Sequence, residues 1–562
     1  MNHVISPLMQ SSRTWLAREA PDLPADLLLA IDALYQSVEG GHVCIRVDVD
    51  RVDAHVDEHT DAWFATGWVG RPGAYCPFIL ETSGRFYLAR YHSHEEGVAA
   101  SLKARASQLL TPHDPVRLQA DLDALFTSGP EDRQRLAALV AQFKPLTLVS
   151  GGPGTGKTTT VVKMLALLQA QAGDAPLRIL LAAPTGKAAQ RLSESIRNAK
   201  QALDISDDVK SCIPEAAQTL HRLLGAQGDT GRYRHDAGNP LACDVLLVDE
   251  ASMIDLALMQ AVLAALPDEA RLILLGDRDQ LASVEAGSVF GDLCASEGMS
   301  AALSQALAPY NVATSTAAIN SPLADCRVEL TRSYRFAADS GIGALARASR
   351  AGDVTGFMGA LDSSPDLSRC RTGQLREQMQ QGYAAYRDAA KAGDITAAFA
   401  AFLNFRVLCA HRQGPAGVEG LNALMEPAGT VWYSGRPVIV RANDYALRLF
   451  NGDIGLCLPT TEGLRIFFEA APGQYRALSP GRLPAHESAW AMTVHQSQGS
   501  EFDEVLLVLP DVVTPVLDRP LIYTAVTRAK SRFALCGAAP VLEAALATMP
   551  QRESGLVEKL GF

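Results

Sequence analysis

At 562 residues the chain is too long for one hydrophobic core, so three or four units of about 100 to 200 residues each are expected. With 48% hydrophobic and 20% charged residues it has a globular composition, and no apolar run reaches the roughly 18 residues that a membrane span needs. A net charge of −12 excludes a protein that coats nucleic acid by bulk electrostatics and leaves only contacts focused in a local groove.

The start, Met1–Pro7, lacks a basic stretch followed by an apolar one, so no signal peptide is read and the chain is expected in the cytoplasm. Ten cysteines are scattered singly without a C-x-x-C pair, which fits reduced, mostly buried thiols. Residues 1–108 carry a helical spacing over Asp26–Tyr35 and strand-like runs over Val43–Val49 and Phe78–Tyr91, the latter broken at Ser83-Gly84. No catalytic constellation is found there; Trp63, Trp68, Phe78, Phe86 and Tyr87 fit either a core or a partner surface. Asp114–Leu125 and Asp132–Phe143 read as helices, closed by Pro145. Gln134, on the second, has an amide whose donor and acceptor match the edge of an adenine.

Leu146–Ser150 is a short apolar strand, and Gly151–Thr158 fits the pattern G-x-x-x-x-G-K-[ST]. Glycines at 151, 152, 154 and 156 allow consecutive N–H groups to turn inward on a polyphosphate, ahead of a helix whose positive end adds to the pull. The expected cradle is Gly151, Gly152, Pro153, Gly154, Thr155, Gly156, Lys157, Thr158 and Thr159. Lys157 would meet the β- and γ-phosphates of ATP, and the Thr158 hydroxyl would ligate Mg²⁺.

Ile179–Ala183, Val245–Val248 and Leu272–Leu275 are further apolar runs alternating with helical segments, the pattern of a buried parallel sheet with chemistry beyond its carboxyl ends. After the first of them come Pro184, Thr185, Gly186 and Lys187, and later Thr219–Gly225 with His221, groups suited to a nucleic-acid backbone. After the next stands Asp249, assigned to magnesium, and Glu250, assigned to orienting and deprotonating water. Gln280 follows the third as an uncharged group able to sense a γ-phosphate, with Asp277 and Arg278 as relays. Residues 294–326 read as a poorly determined insertion. Arg332 and Arg335 are both candidates for a charge-bridging finger.

Residues 337–402 read as helical, without visible chemistry. A second sheet is expected from Val407–Cys409, Val505–Leu509 and Phe533–Leu535, interrupted by a β-rich insertion at about 431–482. Thr493–Phe502 follows the insertion, and Tyr523–Lys530 supplies Arg528 as the other candidate finger.

In order, Gly151–Thr158, Val248–Ser252, Gly276–Leu281, Tyr334–Arg335, Thr493–Phe502 and Tyr523–Lys530 resemble the motif series of superfamily 1 helicases. Ser150–Thr160, Thr219–Gly225, Leu330–Phe336 and Val494–Phe502 look like the RecD branch, and His42–Ile45 and Phe86–Tyr91 look like that family's first domain. The resemblance implies an α/β fold with two RecA-like domains, at 109–335 and 336–562, and an N-terminal partner-interaction domain at 1–108. It implies 5′-to-3′ translocation on single-stranded DNA with ATP and Mg²⁺, in a heterotrimer with the beta (RecB) and gamma (RecC) subunits at duplex ends. By the same resemblance Gln134 contacts adenine, and Lys157, Glu250, Gln280, Arg335 and Arg528 are catalytic, the two arginines reaching the γ-phosphate from the second domain. Pro184, Thr185, Gly186, Lys187, His221, Thr493 and His495 line the DNA path. Segments 294–326 and 362–395 depart from the family pattern, as does Gln496, where a lysine is common. No clustered acidic set is seen beyond the ATP site, so nuclease activity is expected in a partner. The competing function is an ATP-driven assembly switch that does not move on DNA, for which the DNA-path groups would have no use.

Overall fold

A computed structural model describes residues 7–47, 56–126, 129, 131–173, 175–228, 231–295, 298–314, 316, 321–336, 340–444, 446–471 and 473–562. The expected helix near residue 30 spans Ala25–Glu39 and buries Leu27, Ile31, Leu34 and Val38, one helical face, against a small sheet. That sheet holds β1 (Cys44–Arg46), β2 (Val69–Gly70), β3 (Phe78–Leu80) and β4 (Arg85–Leu88) in the order β1-β4-β3-β2. Asp48 and Val49 of the expected first strand lie outside the described residues.

The strand expected to run to Tyr91 stops at Leu88, because Val98, Leu102 and Ala106 recur at helical spacing and draw Ala89–Ala106 into a helix. Phe78, Phe86 and Tyr87 are buried and Trp63 is 5% exposed, so these four are core, and the partner-surface alternative falls for them. Trp68 is half-buried, edge-on to Trp15 at 5.0 Å.

The first motor sheet consists, among the described residues, of β5 (Leu146–Gly151), β6 (Ile179–Ala183), β7 (Gln218–Thr219), β8 (Val245–Val248), β9 (Arg271–Gly276) and β10 (Arg327–Leu330). Its order is β10-β5-β9-β8-β6-β7, with every pairing parallel. Helices cover both faces, so β5 and β8 are buried from end to end, as continuous apolar runs require. The described part of 294–326 is ordered, in correction of the sequence reading. Ser300 caps the helix Ala301–Leu307, a 3₁₀ turn spans Pro322–Cys326, and Leu303, Leu307 and Leu323 are fully buried.

The chain continues through β11 (Leu367–Cys370) and β12 (Phe405–Cys409) into an insertion of β13 (Arg436–Val440), β14 (Ile454–Thr460), β15 (Gly463–Ala471), β16 (Gln474–Leu478) and β17 (His486–Ser488). These form an antiparallel sheet that runs beyond the expected limit of 482. Then β18 (Ala491–Thr493), β19 (Phe502–Val508) and β20 (Ala529–Cys536) complete a second parallel sheet, ordered β11-β20-β19-β12-β18.

After its last long helix, Ala539–Ala547, the chain leaves this second sheet and returns to the start of the molecule. Glu558 pairs with Arg85, and Lys559 pairs with Glu81 at 2.7 Å and with fully buried Glu95 at 2.8 Å. Leu556 and Leu560 enter the core shared by Val43, Val98, Leu102 and Leu246.

Candidate active site between the two parallel sheets

The loop after β5 is built for backbone contact. Gly154 and Gly156 stand at φ 75° and 80°. A Cβ on Gly154 would lie 2.2 Å from the Arg335 Cβ, and one on Gly156 would lie 2.4 Å from the Gln134 Nε2. The Thr155 hydroxyl closes the turn on the Gly152 carbonyl at 2.8 Å, and the Gln134 amide donates to the Thr155 carbonyl at 3.1 Å. Gly156 offers no side chain to cap the helix Lys157–Ala170, so its first N–H groups face the loop. The Lys157 ammonium donates to the Gly151 and Gly152 carbonyls, Thr158 is half-buried in the first turn, and Thr159 faces solvent.

At the tip of β8, Asp249 accepts the Glu250 N–H at 2.9 Å. Burial, reinforced by Glu250 next to it, pushes the Asp249 carboxyl up to about 6. Glu250 itself adopts φ 53°, ψ 40°, a left-handed conformation rare outside glycine. Beyond β9, Gln280 donates to Asp277 at 2.9 Å, while its carbonyl oxygen is buried without a partner.

The second sheet meets this edge directly. The Tyr523 hydroxyl donates to Asp277 at 3.0 Å, the Leu281 N–H donates to the Thr524 hydroxyl at 3.0 Å, and the Gln498 amide donates to the Leu281 carbonyl at 2.8 Å. Arg191, on the helix Gly186–Ala202 of the first half, donates to the Gly499 carbonyl at 2.6 Å and pairs with Glu501 at 3.0 Å.

Of the two arginines in the Leu330–Phe336 stretch, Arg332 is exposed and stacks on Tyr334 at 5.0 Å. Arg335 lies against Gly154 and donates to Glu501 at 2.7 Å, and its other terminal nitrogen, Nη1, is buried without a partner. Its position corrects one expectation: Arg335 follows β10, a strand of the first sheet, and so stands on the connection between the halves and not in the second domain. Arg528 is 3% exposed and held by the Thr524 and Ser500 carbonyls at 3.2 and 3.1 Å; burial lowers its pKa. Burial alone would raise the Glu501 carboxyl, but Arg191, then Arg335, bring it down to about 2.

The residues expected along DNA divide. Pro184 to Lys187 follow β6, where the Thr185 hydroxyl caps the next helix at 3.2 Å. The Lys187 ammonium sits 5.9 Å from the Phe502 ring, and its desolvation, followed by repulsion from Arg406 and Arg191, takes it down to about 7. His221 is exposed just beyond β7, the neighbour of β6. Thr493 ends β18 and is 7% exposed, with its hydroxyl accepting the Gln496 N–H at 3.2 Å. The Gln496 side chain turns inward to accept the Thr493 N–H, so it closes this turn. His495 is half-buried, and burial lowers its pKa. Sequence reasoning missed Arg191, Glu501 and Tyr523 as site residues, although each lies within or beside a quoted motif.

A family model described as an AAA domain matches residues 134–286, and one described as a UvrD-like helicase C-terminal domain matches 488–536, one on each parallel sheet. The chain is 39% identical to the RecBCD enzyme subunit RecD of Mycolicibacterium smegmatis, over 98% of this chain and 96% of that protein. It is 38% identical to the Haemophilus influenzae protein of the same name, over 76% of this chain and 72% of that one. It is also 34% identical to the ATP-dependent RecD2 DNA helicase of Deinococcus radiodurans, over 74% of this chain and 50% of that one. A nucleotide loop facing a second parallel sheet, and a likeness that runs almost from end to end, place this chain in the RecD family.

Proposed function

We propose that this chain is the ATP-dependent 5′-to-3′ single-stranded-DNA translocase and helicase subunit of a helicase–nuclease complex, joined to RecB and RecC, that processes double-strand breaks for recombinational repair. Its place of action is the cytoplasm, with nuclease activity in a partner; among the described residues no helix is long and apolar enough to cross a membrane. The observation that carries the motor reading is the seam itself: the Gln280–Leu281 edge of the nucleotide sheet is bonded to Thr524 and Gln498 of the second sheet. A shift of this edge on γ-phosphate binding or release would therefore pass directly to the second half.

The site fits ATP with Mg²⁺. Gly154 and Gly156 leave no room for side chains, and two polar atoms, Gln280 Oε1 and Arg335 Nη1, are buried without protein partners. The Thr158 hydroxyl and the Asp249 carboxylate would hold the ion, which when bound would draw charge off the β- and γ-phosphates. Gln134 orients the base, Gly151 to Thr159 wrap the phosphates, and Lys157 exchanges its loop carbonyls for phosphate oxygens. Glu250 takes the proton of the attacking water, Gln280 senses the γ-phosphate, and Arg335 and Arg528 neutralise charge as the bond breaks.

Strand ends carrying Pro184, Thr185, Gly186, Lys187, His221, Thr493 and His495 track the DNA. Residues 109–335 and 336–562 act as the motor halves and 1–108 as the partner-docking unit.

The test is ATP turnover with and without single-stranded DNA, followed by unwinding of duplexes bearing one 5′ or one 3′ tail. DNA-stimulated turnover and selective unwinding of the 5′-tailed duplex are expected; turnover indifferent to DNA would leave only a switch.

A further inference from the structure

The loop after Gln280 is gripped by a residue far away in sequence. Arg552 donates from Nη2 to the Ser283 carbonyl at 2.6 Å and from Nη1 to the Glu285 and Gly287 carbonyls at 3.1 and 2.8 Å. A guanidinium that binds three carbonyls of one short loop fixes its shape, since each bond is charge-assisted and set at a fixed angle to the others. The loop is shaped to receive it. The Ser283 hydroxyl donates to the Gly287 carbonyl at 2.8 Å, and the Gly287 N–H donates to the Gly41 carbonyl at 3.0 Å. Gly41 stands at φ 87°, an angle that favours glycine, and a Cβ there would lie 3.0 Å from the Arg552 Cζ and press on the guanidinium.

Two residues before Ser283, Leu281 is bonded through its N–H and its carbonyl to the second motor half. One end of this loop thus follows the second half, and the other is bonded to Gly41 of the N-terminal unit and, through the Ala286 carbonyl at 3.2 Å, to the Leu256 N–H of the first half. The clamp is itself tethered. Thr548 accepts the Arg519 N–H at 2.9 Å on the second half, and only Met549, Pro550 and Gln551 separate it from Arg552. Four chain steps reach at most about 14 Å, which caps the opening of the two halves at this edge.

We propose that Arg552 is a positioning residue for ATP hydrolysis, holding the Ser283–Gly287 loop so that Gln280 and Leu281 keep their alignment with the second motor half. This rests on the motor reading above and adds to it a C-terminal tether that sets how far the motor opens.

The experiment uses the full chain with its partner subunits and compares wild type, Arg552→Ala and Arg552→Lys. Steady-state turnover at saturating single-stranded DNA should show kcat of Arg552→Ala reduced about tenfold with KM for ATP within about twofold, and Arg552→Lys partly recovered. Hydrogen exchange on the same proteins should show the Leu281 and Gly287 amides exchanging faster in Arg552→Ala, with the Gly151–Thr158 amides unchanged. An unchanged kcat, a fall in kcat that only tracks the folded fraction measured by thermal melting, or unaltered exchange at Leu281 and Gly287 would overturn the proposal. If the wild-type chain shows no DNA-stimulated turnover, the motor reading fails, and the exchange comparison still decides whether Arg552 holds the loop.

Discussion

Glu250 occupies a left-handed backbone position without being glycine, a conformation costing about 1–3 kcal/mol that persists only where its surroundings impose it. The position follows directly on Asp249, whose carboxylate accepts the Glu250 N–H, so the strain is held at the tip of β8 beside the nucleotide loop. Glu250→Gln should therefore keep nucleotide affinity while hydrolysis falls by about 10²-fold or more, measured by equilibrium binding beside single-turnover hydrolysis. Lys157→Gln should lose hydrolysis while keeping the fold by circular dichroism.

Arg335 and Arg528 separate by their surroundings. Each Ala variant should lose about 10³-fold in kcat with a smaller loss in binding. Arg528→Ala should lower the melting temperature by leaving the Thr524 and Ser500 carbonyls without their donor, and Arg335→Ala should lower it through Glu501, which keeps its Arg191 partner.

Two carboxylates give opposite pH signatures. The folded state raises Asp249 from 3.8 to about 6, so its ionisation opposes folding and stability falls as pH climbs across that window. The folded state lowers Glu501 from 4.5 to about 2, so its contribution is full above 4.5 and is lost as pH falls toward 2. Urea midpoints should show Asp249→Asn gaining on wild type at neutral pH, and Glu501→Gln losing there, with both differences shrinking in acid.

Among the elements, the helix Ala89–Ala106 has the widest reach. It belongs in sequence to the N-terminal unit, yet its Val98 and Leu102 pack into one core with Leu146 and Leu246 of the first motor sheet. Removing 1–108 should therefore abolish the motor's cooperative melting transition and not simply release a working ATPase. Leu102→Ala alone should cost about 2–5 kcal/mol, read from denaturant unfolding.

The same element shows where sequence reading ends. The phosphate loop and the Asp249–Glu250 tip were legible because their chemistry is local: glycines and carboxylates act within a few residues of a strand end. The helix start at Ala89 was not, since Arg85–Leu88 runs into it without a turn residue. β7 has only two residues, and edge strand β10 alternates buried and half-buried positions with too short a run to register. Glu501 was missed as a site residue because its partner Arg335 lies 166 positions away, a distance no local pattern encodes.

For the molecule as a whole, a net charge of −12 means that attraction to DNA must come from a few cations lining the groove. Lys187, brought down to about 7, is the lysine among the proposed contacts, and its charge fades near neutrality. Single-stranded DNA affinity should weaken as pH rises from about 6 to 8 in wild type and weaken less in Lys187→Arg, read by fluorescence anisotropy.

The returning C-terminal segment also sets an order of events during synthesis. Leu556 and Leu560 seal a core whose other walls include Val43 and Leu246, and roughly 230 residues separate Leu330, which ends the first motor sheet, from Leu560. At about 5–20 residues per second the ribosome needs about 10 to 50 s to make that stretch. Throughout that interval roughly the first three-fifths of the protein presents an apolar seam to the cell, so a stop codon at position 550 leaves the beginning of the protein open to proteases.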